Sequence, residues 1–198
     1  NYKDLENMNP KVCAIKFYLN ETYSTLKINN ISVLRQYFIH CPDNMLMCFH
    51  AEVEMVGVVL YLASIYNKRV HICHISRKEE VEMIKDAKEN GLDVTCEVTP
   101  HHLFMGDDSL LPPELQTVKP PLNTSEDREF LWANMDIIDC FATDHAPHLK
   151  TEKQTCGCPG FTGLETLLPL LLNAVNQGRL TIQDIRDKCY NNPKKILR

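Results

Sequence analysis

The sequence predicts an α/β fold: about five strand–helix units forming the C-terminal portion of a (β/α)8 TIM-type barrel. Three observations carry this expectation. Short apolar runs alternate with longer stretches of helical spacing five times along the chain, the pattern of parallel strands joined by crossover helices. The runs are almost continuously apolar rather than alternating, as in a sheet covered on both faces. Ionisable residues recur where the runs end. A doubly wound sheet satisfies the first two observations, but gathering chemistry at the carboxyl ends of many strands is a barrel property. A whole barrel needs about 250 residues, so residues 1–198 read as one partial domain lacking its first strands.

The elements follow in order. Val12–Leu19 is β-branched and aromatic, hence a strand, and Ile31–Cys41 has helical spacing. Met45–Ala51 is the second strand, and Glu52–Asn67 is the clearest helix. Arg69–Ser76 is the third strand. Arg77–Gly91 places acids first, bases later and a glycine last, in the order that suits a helix dipole and its stop. Asp93–Pro100 is the fourth strand, and Ser125–Met135 is a helix opened by a serine cap. Ile137–Asp144 is the fifth strand. Gly163–Gly178 and Thr181–Asn192 complete the chain as helices.

Composition narrows the function. A hydrophobic fraction of 44% is that of a globular domain, and a net charge of −5 argues against a nucleic-acid or basic membrane-binding role. No apolar run is long enough to span a bilayer. Nine cysteines form an odd set, and several sit within strand runs where a thiol behaves as a small hydrophobe. The expectation is a cytoplasmic protein with free thiols, Cys156 and Cys158 included.

Lys16 falls near the end of the first strand, His50 ends the second, His74 the third, Glu97 with His101 and His102 the fourth, and Asp144 the fifth. Taken singly, a strand histidine is ordinarily a satisfied core residue, and Asp144 could cap the turn before Ala146-Pro147. As a set, imidazoles and a carboxylate on separate strands can converge on a divalent metal. Lys16 is the odd member, because an unpaired buried ammonium is costly. Either an acid pairs with it or its free amine reacts, and the sequence leaves both open.

Six segments in register, KFYLNET, CFHAE, HICHISRKEE, CEVTPHHLF, DCFATDHAPH and PGFTGLETLLPLLL, resemble the dihydroorotases of the amidohydrolase superfamily. They look like the dihydroorotase domains within the multifunctional pyrimidine-synthesis proteins of animals. The resemblance runs over essentially the whole chain. It implies a zinc-dependent barrel enzyme that reversibly cyclises N-carbamoyl-L-aspartate to L-dihydroorotate. It also implies covalent linkage to carbamoyl-phosphate synthetase and aspartate transcarbamylase domains, and a homo-oligomer.

Residue by residue, the resemblance makes Lys16 a carboxylated lysine bridging two zinc ions. His50 and His74 become ligands of one ion, and Asp144 the ligand of the other and the general base and acid. His148 would touch substrate, Pro159 and Gly160 would contact its ring through their backbone, and Thr22 and Tyr23 would lie in a closing loop. Some members hold a third zinc, whose surroundings match Cys73, Glu97 and His102.

Two departures stand out. The family's opening-strand His-x-His pair and its following arginine are absent, so the segment by itself is expected to be inactive. Lys119 stands where an arginine pairs with the substrate carboxylate in relatives; lysine keeps the charge and loses the bidentate fork. A lesser difference, beside these two, is Tyr23, where animal relatives usually carry phenylalanine. Two competing readings remain: a dihydropyrimidinase-like cyclic-amide hydrolase and a non-catalytic dihydroorotase-like scaffold. The run DHAPH with its downstream PGFTGLET favours dihydroorotase over the first, and the filled ligand positions weigh against the second.

Overall fold

A computed structural model describes residues 2–9, 11–22 and 25–197, without the side chains of Glu6 and Asn7. Five strands form one parallel sheet in sequential order: β1 Ala14–Tyr18, β2 Leu46–His50, β3 Val70–Ile72, β4 Val94–Val98 and β5 Cys140–Phe141. Between them run α1 Ile31–His40, α2 Glu54–Tyr66, α3 Lys78–Glu89, α4 Pro100–Phe104 and α5 Ser125–Ala133. After β5 come α6 Lys150–Cys156, α7 Leu167–Asn176, α8 Ile182–Arg186 and α9 Asn192–Ile196, with one π-helical turn, Asp187–Asn191, between the last two. Strand, crossover helix and neighbouring parallel strand repeat without a change of direction, as in a barrel wall.

The two faces of the sheet differ. Outward side chains of the strands, Phe17, Met47, Phe49, Ile72, Cys96 and Val98, are buried in one large core with Leu34, Phe38, Val56, Val59, Val81 and Ile84 from the first three helices. Phe49 stacks between Phe17, at 5.0 Å, and Phe38, at 5.6 Å. Inward positions, two residues apart by the strand period, carry Ala14, Lys16, Leu46, Cys48, His71, Cys73, Glu97 and Cys140 around a cavity of about 500 Å³. Ile196 of α9 packs into its lower end with Leu46 and Cys140.

The amino ends of the strands are stapled by lysines. Lys68 donates to Cys41 O (2.6 Å) and Asp43 (2.5 Å) before β2. Lys88 donates to Ile137 O (2.6 Å) and Asp139 (2.7 Å) before β5. Lys188, from the π-helical turn, donates to Met135 O (2.7 Å) and Ile138 O (2.5 Å).

All five expected strands are present, and β5 is far shorter than the Ile137–Asp144 run. Its neighbour β4 offers a ladder only at Glu97 and Val98, and the chain then turns into the loop that carries Asp144. Neither α4 nor α6 was among the expected elements. Thr99 caps α4 by accepting from His102 N, with proline at its first turn. The expectation of free thiols at Cys156 and Cys158 is corrected: the two form a disulfide. Gly157, at φ +62°, ends α6 in a left-handed turn and leaves the two Cα atoms 5.3 Å apart, within bridging range.

Candidate active site

Parallel register fixes the centre of the site. Tyr18 pairs with His50 across β1 and β2, and Cys73 N donates to Phe49 O at 2.9 Å, so His50 at the end of β2 and His74, two residues past β3, leave neighbouring strands side by side. Both imidazoles are 3% exposed. His50 Nδ1 and His74 Nε2 lie 3.0 Å apart. Two nitrogens bound to one tetrahedral zinc at 2.0–2.1 Å stand about 3.3 Å apart, so the pair has the spacing of ligands to a shared ion. The other two ring nitrogens, His50 Nε2 and His74 Nδ1, are buried without a hydrogen-bond partner. Glu52 Oε1 stands 3.8 Å from His50 Nε2, and the ring holds the Glu52 carboxyl below the usual range.

Burial above all, then the charges of Lys16 and His50, push the pKa of His74 well down, which keeps it a neutral donor. His74 (φ +39°) and Asp144 (φ +43°) both occupy the left-handed region, uncommon for residues with a Cβ and concentrated at functional sites. Asp144 stays exposed at the rim as a residue. Partial loss of hydration raises its carboxyl first, Glu97 adds to this, and Lys16 and His50 oppose it.

A cavity of about 250 Å³ joins these groups. Its walls include Lys16, His50, His74, Asp144, Lys119, Thr22, Pro159 and Gly160. The wall is built by close approach: Gly160 N donates to Thr117 O at 3.0 Å. A Cβ on Gly160 would sit 2.5 Å from Ala146 O, so only glycine lets this loop reach the cleft. Lys153 ties both loops by donating to Thr117 O and Gly160 O, each at 2.8 Å.

No family model matches the chain. It is 49% identical over 186 residues to the multifunctional protein CAD of Squalus acanthias, across 92% of this chain and 8% of that polypeptide. To the dihydroorotase of Pyrococcus furiosus it is 42% identical over 146 residues, 74% of this chain and 34% of the relative. This chain is a dihydroorotase-family segment. It spans about a third of that dihydroorotase and far less of the multifunctional relative. Among solved structures, the inactive dihydroorotase-like domain of a Chaetomium thermophilum CAD-like multifunctional protein superposes with a TM-score of 0.82 at 27% identity. The match covers all of this chain and 56% of that one. An L-hydantoinase (dihydropyrimidinase) from Arthrobacter aurescens gives 0.86 at 22% identity, over 99% of this chain and 53% of its own, and shares the fold. The five strands are thus part of an amidohydrolase barrel.

Other expected residues of the dihydroorotase segment fall outside this cluster. His148 is absent from the cleft lining, and its Nδ1 lies 3.9 Å from Glu152 Oε2. Tyr23 lies outside the described residues. His102 is not brought to Cys73 and Glu97. Its Nδ1 is 2.7 Å from Thr99 Oγ1 and its Nε2 is 3.1 Å from Pro120 O, so both ring nitrogens are engaged, and burial pushes its pKa down to about 4. His71 takes that place. One donor atom each from His71, Cys73 and Glu97 lie within 4.8 Å of one another, and His71 Nε2 is 3.2 Å from Glu97 Oε2. The strand period was the signal missed, since it puts His71 beside Cys73 on the inner face. Lys16 faces this second group. Burial lowers its pKa, but Cys73 and Glu97 outweigh that and the net shift is upward, which fits the acid-paired alternative for the unmodified side chain.

Proposed function

We propose that this chain supplies one portion of a zinc-dependent dihydroorotase, within a longer polypeptide that also carries carbamoyl-phosphate synthetase and aspartate transcarbamylase activities. The reaction is the reversible cyclisation of N-carbamoyl-L-aspartate to L-dihydroorotate in pyrimidine synthesis, in the cytoplasm and in a homo-oligomer. One observation carries the reading: two buried imidazoles whose facing nitrogens stand 3.0 Å apart, in one cleft with Lys16 and Asp144.

The donor set fits zinc. His50 and His74 would hold one ion, Asp144 the other, and Lys16, as its carbamate, would join them; His71, Cys73 and Glu97 form the candidate third site. When bound, zinc acidifies water and polarises a carbonyl. The chain's own groups do the rest. In hydrolysis the Asp144 carboxylate takes the proton of the attacking water and delivers it to the departing ring nitrogen. In synthesis it removes the proton of the ureido nitrogen. Its raised pKa brings it closer to neutrality, where such a group works best. Lys119, exposed on the cleft wall, attracts the substrate carboxylate. Pro159 and Gly160 present backbone to the ring, and Thr22 lines the same cleft. His148 is the further residue that the resemblance sets against the substrate.

The test is metal analysis of the intact protein together with turnover of dihydroorotate and of dihydrouracil. Bound zinc with dihydroorotate turnover supports the proposal. Turnover of dihydrouracil alone makes it a dihydropyrimidinase-like hydrolase, and neither zinc nor turnover makes it a scaffold.

A further inference from the structure

Glu80 is fully buried, with 0% exposure, and none of the chemistry above uses it. It occupies the first turn of α3, and its carboxylate accepts three backbone N–H groups. Ser76 N donates to Oε2 at 2.8 Å and Arg77 N to the same oxygen at 3.1 Å. Val53 N donates to Oε1 at 3.0 Å. The first two bonds are an ordinary helix cap. The third is not, because Val53 belongs to a different loop.

One loop follows His50 and the other carries His74. Val53 follows His50 by three residues, and Ser76 follows His74 by two. Here the strand ladder no longer helps: β2 ends at His50 and β3 at Ile72. Each loop also contains a strained residue, Val53 at φ +34° and His74 at φ +39°. Strain of this kind persists only where surrounding bonds over-determine it. Burial pushes the Glu80 carboxyl up, and the three donated N–H groups pull it back.

We propose that Glu80 is a positioning residue for the His50–His74 pair, one carboxylate bracing both loops and thereby holding the two imidazoles at a common metal. This rests on the metal-site reading above. In Glu80→Gln the shape is kept, but one end of the side chain becomes a donor facing a donor.

The experiment is zinc titration of the intact protein against a chelator, in wild type, Glu80→Gln and Ile84→Ala. Ile84 is equally buried on the same helix and touches no loop N–H through its side chain. Glu80→Gln is expected to lose about tenfold or more in zinc affinity, the usual effect of removing an outer-shell support. Ile84→Ala should lose thermal stability and keep its zinc affinity within about twofold. Unchanged affinity in Glu80→Gln overturns the inference, as does an equal loss in Ile84→Ala. If wild type takes up no zinc, the site reading itself fails, and amide hydrogen exchange then judges Glu80. Joint acceleration at Val53, Ser76 and Arg77 in Glu80→Gln supports the brace, and unchanged exchange removes it.

Discussion

The two ends of the sheet treat buried polar groups in opposite ways. At the amino ends every staple is complete: Lys68, Lys88 and Lys188 each donate to a main-chain carbonyl at 2.5–2.7 Å, and two of them also meet an aspartate. At the carboxyl ends, His50 Nε2 and His74 Nδ1 are buried with no partner, and His74 and Asp144 hold backbone angles that cost free energy. Satisfied charge at one end stabilises the fold. Unsatisfied polarity at the other end is free to engage something the chain does not itself contain.

The sharpest way to break this contrast is at Asp144. Asp144→Ala in the intact protein should cut dihydroorotate turnover by about a thousandfold, while zinc content falls only in part. Near-normal turnover would remove the general-base role. Acid should come next. His102 drops from an ordinary 6.5 to about 4 in the fold, so the unfolded chain binds the proton more readily. The stability it contributes is fully present above about pH 6.5 and is lost as pH falls towards 4, by about 3 kcal/mol. Denaturant melts between pH 7 and 4.5 should show this decline, and a His102→Gln variant with an identical acid slope would refute the assignment.

Lys188→Met should cost about 2 kcal/mol, because Met135 O and Ile138 O lose their donor. Zinc affinity and kcat/KM should stay within about twofold of wild type, and a loss of zinc would erase the distinction between the two ends. The smallest effect is expected from Lys119→Arg. Restoring the guanidinium fork should lower KM for carbamoyl aspartate by about three- to tenfold, and a raised KM would place Lys119 away from the substrate carboxylate.

How far the sequence could be read depended on whether a property was periodic or three-dimensional. The strands and the alignment of Lys16, His50, His74 and Asp144 follow from repeat and register, and they were legible. His71 was legible too, through its two-residue offset from Cys73, but likeness to relatives directed attention to His102. The run from Thr99 to His102 carried its own warning, since a threonine three residues before a polar side chain is a capping pattern, and the His102 ring is spent on Thr99 and Pro120 O. Glu80 looked like one more acid in a helix's first turn. Its link to Val53, 27 residues away, exists only in space. The Cys156–Cys158 bond depended on the left-handed turn at Gly157, which composition alone does not announce.

The 3.0 Å gap between the two imidazoles begins in the hydrogen-bond ladder that joins β2 to β3. Sliding one strand by two residues would destroy it. Any pair of adjacent parallel staves is therefore a ready template. Transplanting two histidines at matching heights onto an unrelated barrel, with an acid beneath to tie their loops, should recreate the bite of this site without copying the rest of its sequence.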